Sequence, residues 1–490
     1  MWWPGPPAGL VLVAPLSSDP ISVRRVGQRC QTRSVREHRV SPVDAIWLNM
    51  DRVQNLMVIE CVMFLEGPLD RSRFDRVVQR RLIDAYPVFS RRPTVPARRW
   101  AKARWRDVPD FDFTRHVREV RLPAPGDAAA LQAYVGSFLA TPLPRDRPLW
   151  DIHLVNGLDE GSAIYVRLHH ALADGIALTQ VLLSLTDATA DADDDGADGG
   201  GARHHGVGDL IEAARRAAPE VTSALRPARV RATTVAAIRT GLSGAGVLRK
   251  LMLTRNPKSV LAGAAGTHKQ AVWSDPIDLQ LIKDIARASD ATVNDVLVSA
   301  LAGAVERYQV ERGGRAVDIP TMIPVNLRPM HLPLPRELGN RFALVVLLLP
   351  SGLTTAAERL AETKRRMDRI KRSPEPVITF ALIQGIGRLG RRLSSALVTF
   401  FAGKASGVTT NVPGPREPRY LAGTRITSLL GWVPGSADQT LGTCIFTYAG
   451  TVRIGFKTDT AVIADPDHIL AAFHAEIDDL SHALKVAERR

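Results

Sequence analysis

Cysteine is scarce in this chain, and long hydrophobic runs are missing. Three cysteines, Cys30, Cys61 and Cys444, stand far apart among 490 residues. An odd number of widely spaced cysteines indicates neither a disulfide framework nor a zinc site, and it fits a reducing cytoplasm. No apolar run reaches the roughly 18 residues of a membrane-spanning helix. The best candidate, Phe342 to Leu349, has the length of a buried strand. We therefore expect no spanning helix.

Acidic residues are too few to balance the basic ones. The chain has 64 Lys and Arg against 50 Asp and Glu, so its net charge is +14 and its pI is near 10.2. Such an excess implies an anionic partner. We find no helix-turn-helix signature, zinc-finger spacing or RNA-binding aromatic motif, so we expect no nucleic-acid partner.

Length and composition predict two folded domains with flanking and linking segments. A chain of this length with 45% hydrophobic residues can bury a large core. We predict an N-terminal domain over residues 41–187 and a C-terminal domain over residues 271–490. Residues 1–40 lack periodicity and the positive n-region of a secretory signal, which predicts a disordered basic extension or an over-long gene start.

The segment 188–270 is expected to link the two domains. Its first part belongs to an acidic, glycine-rich, low-complexity stretch, Asp187 to Gly201, and such stretches are typical of flexible linkers. From Arg203 to Lys258, eleven Lys or Arg face three acidic residues, interleaved with apolar residues. Such a basic helical stretch is either a solvated face or a segment that lies on an anionic membrane or lipid-droplet surface.

The most informative stretch contains two adjacent histidines at a strand-to-helix corner. Apolar residues alternate up to Leu168, which predicts a strand, and they recur at helical spacing after Gly175. His169, His170 and Asp174 lie between these elements. The alternation places His170 on the apolar face and His169 on the opposite face, so we expect only one of them to face the interior.

A histidine on an apolar wall is desolvated, which favours the neutral imidazole. Neutral imidazole can accept a proton at physiological pH, which makes His170 a candidate general base. The alternative is a hydrogen-bonded core histidine, with Asp174 serving only as a helix cap. The full His-His-x-x-x-Asp-Gly pattern favours catalysis, because chance matches to it are rare.

Four other short motifs have local structural readings. Ser41-Pro42-Val43-Asp44 is a helix start, and Thr292 with Asp295 is a capping box. Pro148-Leu149-Trp150 introduces a strand with a large buried aromatic side chain. In Asn411-Val412-Pro413-Gly414-Pro415, Pro413 and Gly414 suit a type II turn in which the glycine takes a positive φ.

Two side chains are further candidates for the site. Asn294, in the first turn of a predicted helix, can direct an amide donor toward developing negative charge, whereas Asp295 is more readily explained as structural. Arg328 is a plausible partner for Asp174, because a buried carboxylate needs one.

These motifs, in this order, resemble a known family. The His-His-x-x-x-Asp-Gly motif at 169–175 resembles that of the CoA-dependent acyltransferase superfamily. Ser41 to Asp44, Pro148-Leu149-Trp150, Pro324 to Arg328 and Asn411 to Pro415 resemble blocks of the bacterial wax ester synthase/diacylglycerol acyltransferase family. The resemblance implies an α/β fold of two chloramphenicol-acetyltransferase-like domains, with an active-site tunnel at their interface.

The resemblance also implies an activity. His170 would deprotonate the hydroxyl of a diacylglycerol or fatty alcohol, which then attacks a long-chain acyl-CoA directly, without an acyl-enzyme. Asn294 would hold the oxyanion, Asp174 would fix the corner, and Gly175 would let the helix start without a side-chain clash. Neither a metal nor a cofactor is expected, since acyl-CoA is a co-substrate. CoA phosphates and membrane phospholipid are the expected anionic partners. The expected location is the cytoplasm, either free or peripheral on the inner face of the cell membrane or on lipid droplets.

Three other interpretations remain open from the sequence. An acyltransferase of the same superfamily could acylate a hydroxyl of a complex lipid or polyketide. A non-catalytic acyl-CoA or lipid-binding protein could keep the fold, although the intact motif at 169–175 argues against it. A basic scaffold for nucleic acid would bind DNA in a salt-sensitive manner.

Overall fold

The computed structural model describes residues 36–94, 102–159, 161–192, 246–247, 249–328 and 333–484. Most of the expected extension over 1–40 and of the expected linker over 188–270 lies outside these ranges. Residues 37–39 form a strand, and His38 Nε2 lies 3.1 Å from an oxygen of Asp107. The expectation of disorder up to residue 40 is therefore wrong at its end, because this short strand has a pairing partner.

Sixteen strands are named here in chain order. They are β1 Glu37–Arg39, β2 Val58–Leu65, β3 Arg91–Thr94, β4 Arg104–Asp107, β5 Val117–Arg121, β6 Trp150–Leu158, β7 Gly161–His169, β8 Lys269–Trp273, β9 Ile277–Asp278, β10 Ile319–Asn326, β11 Phe342–Leu349, β12 Gly407–Pro413, β13 Tyr420–Leu421, β14 Thr424–Trp432, β15 Leu441–Tyr448 and β16 Thr451–Asp459. The buried strand expected at Phe342 to Leu349 is confirmed as β11.

The helices pack around these strands. They are α1 Pro42–Met50, α2 Arg71–Val78, α3 Ala128–Phe138, α4 Gly175–Ser184, α5 Leu279–Ala288, α6 Val293–Glu311, α7 Ala356–Lys371, α8 Glu375–Ile386, α9 Arg391–Ala402 and α10 Pro466–Ala483, with a π-helical turn at Gln79–Ile83 and 3₁₀ turns at Pro87–Ser90 and Phe113–His116. The Ser41 side chain caps α1, and Thr292 and Asp295 form the expected capping box at α6. Across the described ranges, no helix combines the length and the hydropathy needed to cross a membrane.

Two large sheets organise the fold. The first sheet has the strand order β13-β14-β2-β7-β6-β5, and the second has the order β11-β10-β12-β15-β16-β8, with β9 added beside β16. A third, three-stranded sheet has the order β1-β4-β3. Strands β6 and β7 pair antiparallel, with a bulge between Val155 and Leu158.

The first sheet is covered on both faces. Ile164, Val166 and Leu168 pack into one hydrophobic cluster, whereas Tyr165 packs into another on the opposite face. Arg167, on that opposite face, is also buried, and its guanidinium lies 5.6 Å from the centre of the Phe138 ring of α3. The expectation that only one histidine faces the interior is therefore wrong, because helix packing buries both faces of β7.

The chain crosses between the two halves late in the sequence. Strand β14 pairs antiparallel with β2, so residues expected in the C-terminal domain complete the first sheet. A buried ion pair also joins the sheets: Lys457 Nζ of β16 donates to Glu60 Oε2 of β2 at 2.7 Å. The boundary expected at residue 271 therefore does not divide the chain into one segment for each sheet, because β13 and β14 follow this residue and belong to the first sheet.

Candidate active site

The two histidines lie where β7 ends and the chain turns into α4. His169 is the last residue of β7, and α4 begins at Gly175. Asp174 is the N-cap, and its Oδ1 accepts a hydrogen bond from the Ala177 backbone at 2.9 Å. A cap of this kind satisfies one of the free N–H groups at the start of a helix. The corner between strand and helix is therefore fixed by the sequence motif itself.

His170 faces a cavity and is held from three directions. Its ring stacks on the Trp47 indole with a centroid separation of 3.9 Å and an interplanar angle of 17°. Its backbone N–H donates to Met57 O at 2.7 Å, and its carbonyl accepts from Asn340 Nδ2 at 2.8 Å. Burial lowers the pKa of His170 to about 4. The imidazole is therefore neutral at physiological pH, the state that can accept a proton.

His169 points away from the cavity. Its Nδ1 accepts a hydrogen bond from the Ala171 backbone at 3.0 Å, which places the proton on Nε2, 3.6 Å from Asp51 Oδ2. Burial lowers the pKa of His169, although Asp51 opposes this. Burial is the largest influence on Asp51 and acts to raise its pKa, but His169, the Met57 backbone N–H and Arg145 together outweigh it, and the pKa is lowered. These contacts give His169 a positioning role.

Asp174 is fully engaged by the protein. In addition to the helix cap, its Oδ2 accepts from the Arg341 backbone at 2.9 Å and lies 3.4 Å from Arg328 Nε. Both side chains of this ion pair are largely buried, and Arg328 also donates to the carbonyl of Gly339. The structure thus brings Arg328 and Asp174 together, and Asp174, which is also part of the cavity wall, holds the corner in place.

The reason expected for Gly175 does not hold. A Cβ at this position would meet only Val433 Cγ1, at an ordinary contact distance of 3.9 Å. Gly175 also lines the cavity. The helix start therefore tolerates a side chain on steric grounds, and an added methyl group would instead occupy space in the cavity.

The His170 cavity lies between the two large sheets. The volume of this cavity is about 130 Å³. Its wall comes from α1 and α4, from β2, β7 and β14 of the first sheet, and from β10, β11, β12 and β15 of the second. Most of the wall is apolar, which suits a lipid substrate.

A second cavity of about 100 Å³, here called the side cavity, adjoins the first. The two cavities share Trp47, Phe342, Met322, Leu344 and Ser436. The rest of the side cavity is lined mostly by apolar residues of α1, α8 and α9. The Trp47 indole therefore stacks on the candidate base and also forms the wall between two apolar spaces.

The remaining sequence candidates occupy different places. Asn411 lines the His170 cavity, and its Nδ2 donates to Asn294 Oδ1 at 2.8 Å. Asn294 is not among the described residues of the cavity wall. Pro148, Leu149 and Trp150 are buried in the protein, and Trp150 Nε1 donates to Phe89 O at 2.8 Å. The structural reading of this block therefore accounts for its contacts.

The expected type II turn at Pro413 and Gly414 is wrong. Pro413 ends β12, and Gly414 is not among the described glycines with a positive φ. A Cβ on Gly414 would lie 2.2 Å from Thr447 O, to which the Gly414 N–H donates at 2.7 Å. This glycine is required because two backbone segments approach closely.

Four residues of the wall or its support were not among the site residues expected from the sequence. Trp47, Glu60 and Asn326 line the His170 cavity. Asn340 links the site to α1, because its Nδ2 donates to both Asp44 Oδ1 and His170 O at 2.8 Å. The helix start at Ser41 predicts the helix that carries Trp47. It does not predict that the Trp47 indole stacks on the His170 ring.

Two domains of one protein family match most of this chain. The wax ester synthase/diacylglycerol acyltransferase catalytic domain matches residues 40–297, and the C-terminal domain of the same family matches residues 338–481. The chain belongs to this family. It is therefore an acyltransferase, and the family resemblance expected from the motifs is confirmed.

Relatives and solved structures support this placement. "Probable diacyglycerol O-acyltransferase tgs1" of Mycobacterium tuberculosis is 26% identical over 478 residues, covering 92% of this chain and 98% of that protein. "Probable diacyglycerol O-acyltransferase tgs2" of the same species is 25% identical over 465 residues, covering 91% and 99%.

The fold is also confirmed by comparison. A wax ester synthase/diacylglycerol acyltransferase structure from Marinobacter aquaeolei VT8 aligns with a TM-score of 0.65 at 19% identity, covering 91% of this chain and all of that one. The starter condensation domain of rhizomide synthetase RzmA aligns with a TM-score of 0.57 at 15% identity, covering 92% and 94%. This member of the family thus has the expected α/β fold with two sheet-containing halves.

Proposed function

We propose that this acyltransferase transfers a long-chain acyl group from acyl-CoA to the free hydroxyl of diacylglycerol, or of a fatty alcohol, to make triacylglycerol or a wax ester. The observation that carries the proposal is a neutral, buried imidazole on the wall of an apolar cavity between two sheets. The names of the mycobacterial relatives support diacylglycerol as the acceptor.

The chemistry requires one base and no covalent intermediate. His170 accepts the hydroxyl proton as the oxygen attacks the thioester carbonyl, and the resulting imidazolium protonates the departing CoA thiolate. The stacked Trp47 ring supports this cycle, because it covers one face of the imidazole and helps to keep the resting ring desolvated and neutral. Acyl-CoA enters as a co-substrate, and neither a metal nor a cofactor takes part in these steps.

The two adjoining apolar spaces favour two lipid chains. A bound acyl chain and an acceptor chain each need a desolvated path that ends at the imidazole. The His170 cavity and the side cavity meet at Trp47 and Phe342, and both of these rings lie beside His170. We infer that a tunnel through these spaces brings thioester and hydroxyl together.

An acceptor competition tests the proposal. The purified protein is given palmitoyl-CoA with equal amounts of dioleoylglycerol and hexadecanol, and the products are separated by chromatography. Triacylglycerol or wax ester formation is the expected result. Release of CoA without either ester would redirect the proposal to another hydroxyl, such as that of a complex lipid, and binding without CoA release would indicate a non-catalytic protein.

The lipid acceptor also requires access from a lipid surface, and we infer that α9 supplies the contact. Leu393 and Phe400 are seven residues apart on one side of α9 and are 54% and 46% exposed. Lys404 Nζ lies 4.3 Å from the Phe400 ring centre and donates to Met252 O at 3.0 Å. Residues 376–404 contain four Lys or Arg and no Asp or Glu.

This α9 face also lies over the side cavity. Val398, Phe401 and Ala402, from the same helix, line that cavity. If a bilayer or droplet surface contacts Leu393 and Phe400, only α9 separates it from the side cavity. The combination of exposed apolar and cationic side chains is typical of helices that lie on anionic lipid.

Vesicle flotation tests the α9 face. We expect binding to phosphatidylglycerol-containing vesicles that weakens with salt, and a loss of binding for Leu393→Glu with Phe400→Glu. Val310→Glu is a matched control, because Val310 is 54% exposed on a different helix. Binding of the α9 double variant equal to that of the control would refute this surface.

A further inference from the structure

The transition state of acyl transfer carries negative charge on the former carbonyl oxygen, so the His170 cavity needs a hydrogen-bond donor. The side-chain donors on its wall are few. In the described part of the wall, most of the hydroxyl and amide donors are already committed: Thr179 donates to Gly175 O, Thr410 to Thr443 O, Asn411 to Asn294 Oδ1, Ser436 to Gln439 Oε1, and Gln439 to Ala402 O. These hydrogen bonds hold the wall together.

Asn326 differs from these side chains in its orientation. Its Oδ1 accepts a hydrogen bond from the Arg328 backbone N–H at 3.0 Å. Because a backbone N–H can only donate, the oxygen of the amide must face Arg328, and this fixes the amino group on the other side. Asn326 also lines the cavity.

The backbone places Asn326 near the candidate base. Asn326 is the last residue of β10 and is directly paired with Phe342, the first residue of β11. Paired residues project from the same face of a sheet, with Cβ atoms about 5 Å apart. The Phe342 ring centre lies 5.8 Å from that of His170, and both rings line the same cavity. The Asn326 amide is thus next to the ring that contacts the imidazole.

The same segment is anchored to the catalytic corner. Arg328, whose N–H holds the Asn326 oxygen, pairs with Asp174, and Asp174 caps α4 just after His170. A donor that is held rigidly relative to the base loses little on reorganisation when charge develops. This link gives Asn326 a fixed position relative to His170.

We propose that Asn326 Nδ2 donates the hydrogen bond that stabilises the tetrahedral oxyanion, the role first expected for Asn294. As the acceptor oxygen gives its proton to His170 and bonds to the carbonyl carbon, the C=O π pair moves onto the carbonyl oxygen, and Asn326 Nδ2 donates a hydrogen bond to that oxyanion. When that pair returns, the C–S bond breaks, and the CoA thiolate takes the proton from His170. Asn294 instead accepts from Asn411 and orients the wall. This inference rests on the proposed acyl transfer.

Asn326→Asp separates the two functions of the side chain. The carboxylate keeps an oxygen for the Arg328 N–H and so preserves the turn, but it has no amino group to donate. We expect kcat and kcat/KM to fall together by about 100-fold or more, because the lost bond forms only in the transition state. Asn256→Asp is the matched control, since Asn256 Oδ1 likewise accepts, from Ser406 Oγ at 2.6 Å, away from both cavities.

Asn326→Ser and Asn326→Ala provide a second comparison that does not depend on the aspartate variant folding. Serine keeps a donor and alanine does not, so we expect the serine variant to be the more active at equal melting temperature. Asn326→Asp activity within threefold of the control, or equal kcat for the serine and alanine variants, would overturn the assignment. An inactive wild-type protein would instead refute the proposed function itself.

Discussion

The acid limb of the pH–rate profile reports the state of His170 directly. Burial lowers the pKa of this histidine from 6.5 to about 4, a difference of about 3 kcal/mol in favour of the neutral ring. Because kcat/KM follows the ionisation of the free enzyme, we expect its acid limb to have a midpoint near pH 4. An unburied histidine would give a midpoint near pH 6.5.

Removal of the stacked indole should move this limb. Trp47→Ala opens one face of the imidazole to water and relieves part of the desolvation, which is the largest cause of the lowered pKa. We therefore expect the midpoint to rise by one pH unit or more in the variant. Initial rates of CoA release, measured by chromatography after rapid quenching, avoid a pH-dependent thiol reagent.

The pH range must be chosen with stability in mind. The folded-state pKa of His170 is below its unfolded value, so the unfolded chain binds more protons between about pH 6.5 and pH 4. Stability is therefore lost as the pH falls through this window, and each sample is returned to pH 7 to confirm full recovery. An acid limb of the wild-type protein between pH 6 and 7 would contradict the lowered pKa of His170. An acid limb of Trp47→Ala at the wild-type position would contradict the contribution of the indole to it.

Two further predictions concern stability and are tested with melting curves. Lys457→Met leaves the buried Glu60 carboxylate without its partner, so we expect the free energy of unfolding to fall by about 3–5 kcal/mol. Adding Glu60→Gln should restore part of this loss, and a double variant no more stable than Lys457→Met would contradict the prediction. Gly414→Ala should destabilise by about 1–3 kcal/mol or more, because its Cβ would lie 2.2 Å from a backbone oxygen. Gly136→Ala, in α3 with nothing within 4 Å, should instead stabilise by about 0.5–1 kcal/mol, and equal effects of the two glycine substitutions would contradict the packing argument.

Local signals in the sequence predicted local structure well. Ser41, Asp174 and Thr292 each cap a helix as expected, because a cap depends on side-chain and backbone atoms within three residues of each other. The strand Phe342 to Leu349 was likewise defined by its own apolar run. The corner that carries His170 could therefore be placed from one short motif.

Long-range contacts could not be predicted in the same way. The Trp47 ring meets His170 across more than a hundred residues, and β14 joins a sheet whose other long strands lie far earlier in the chain. Helix and strand periodicity report which face is apolar, not which partner covers it. For this reason both faces of β7 are buried, contrary to expectation.

The choice between asparagines shows the same limit. Asn294 was expected at the oxyanion because a helix N-terminus favours negative charge. In the folded chain, Asn294 is not among the described residues of the cavity wall, whereas Asn411, which donates to it, and Asn326, at the end of a strand, both line the cavity. The local electrostatic argument was sound, but it carried no information on which side chain lines the wall.

The central claim is that the His170 imidazole is the base for acyl transfer. The most direct measurement is single-turnover CoA release from palmitoyl-CoA with dioleoylglycerol, in wild type and in His170→Ala and His170→Gln, at matched melting temperatures. We expect both variants to lose at least about 100-fold in rate, in line with the loss of a general base. Release of CoA at the wild-type rate by either variant would contradict this role of His170.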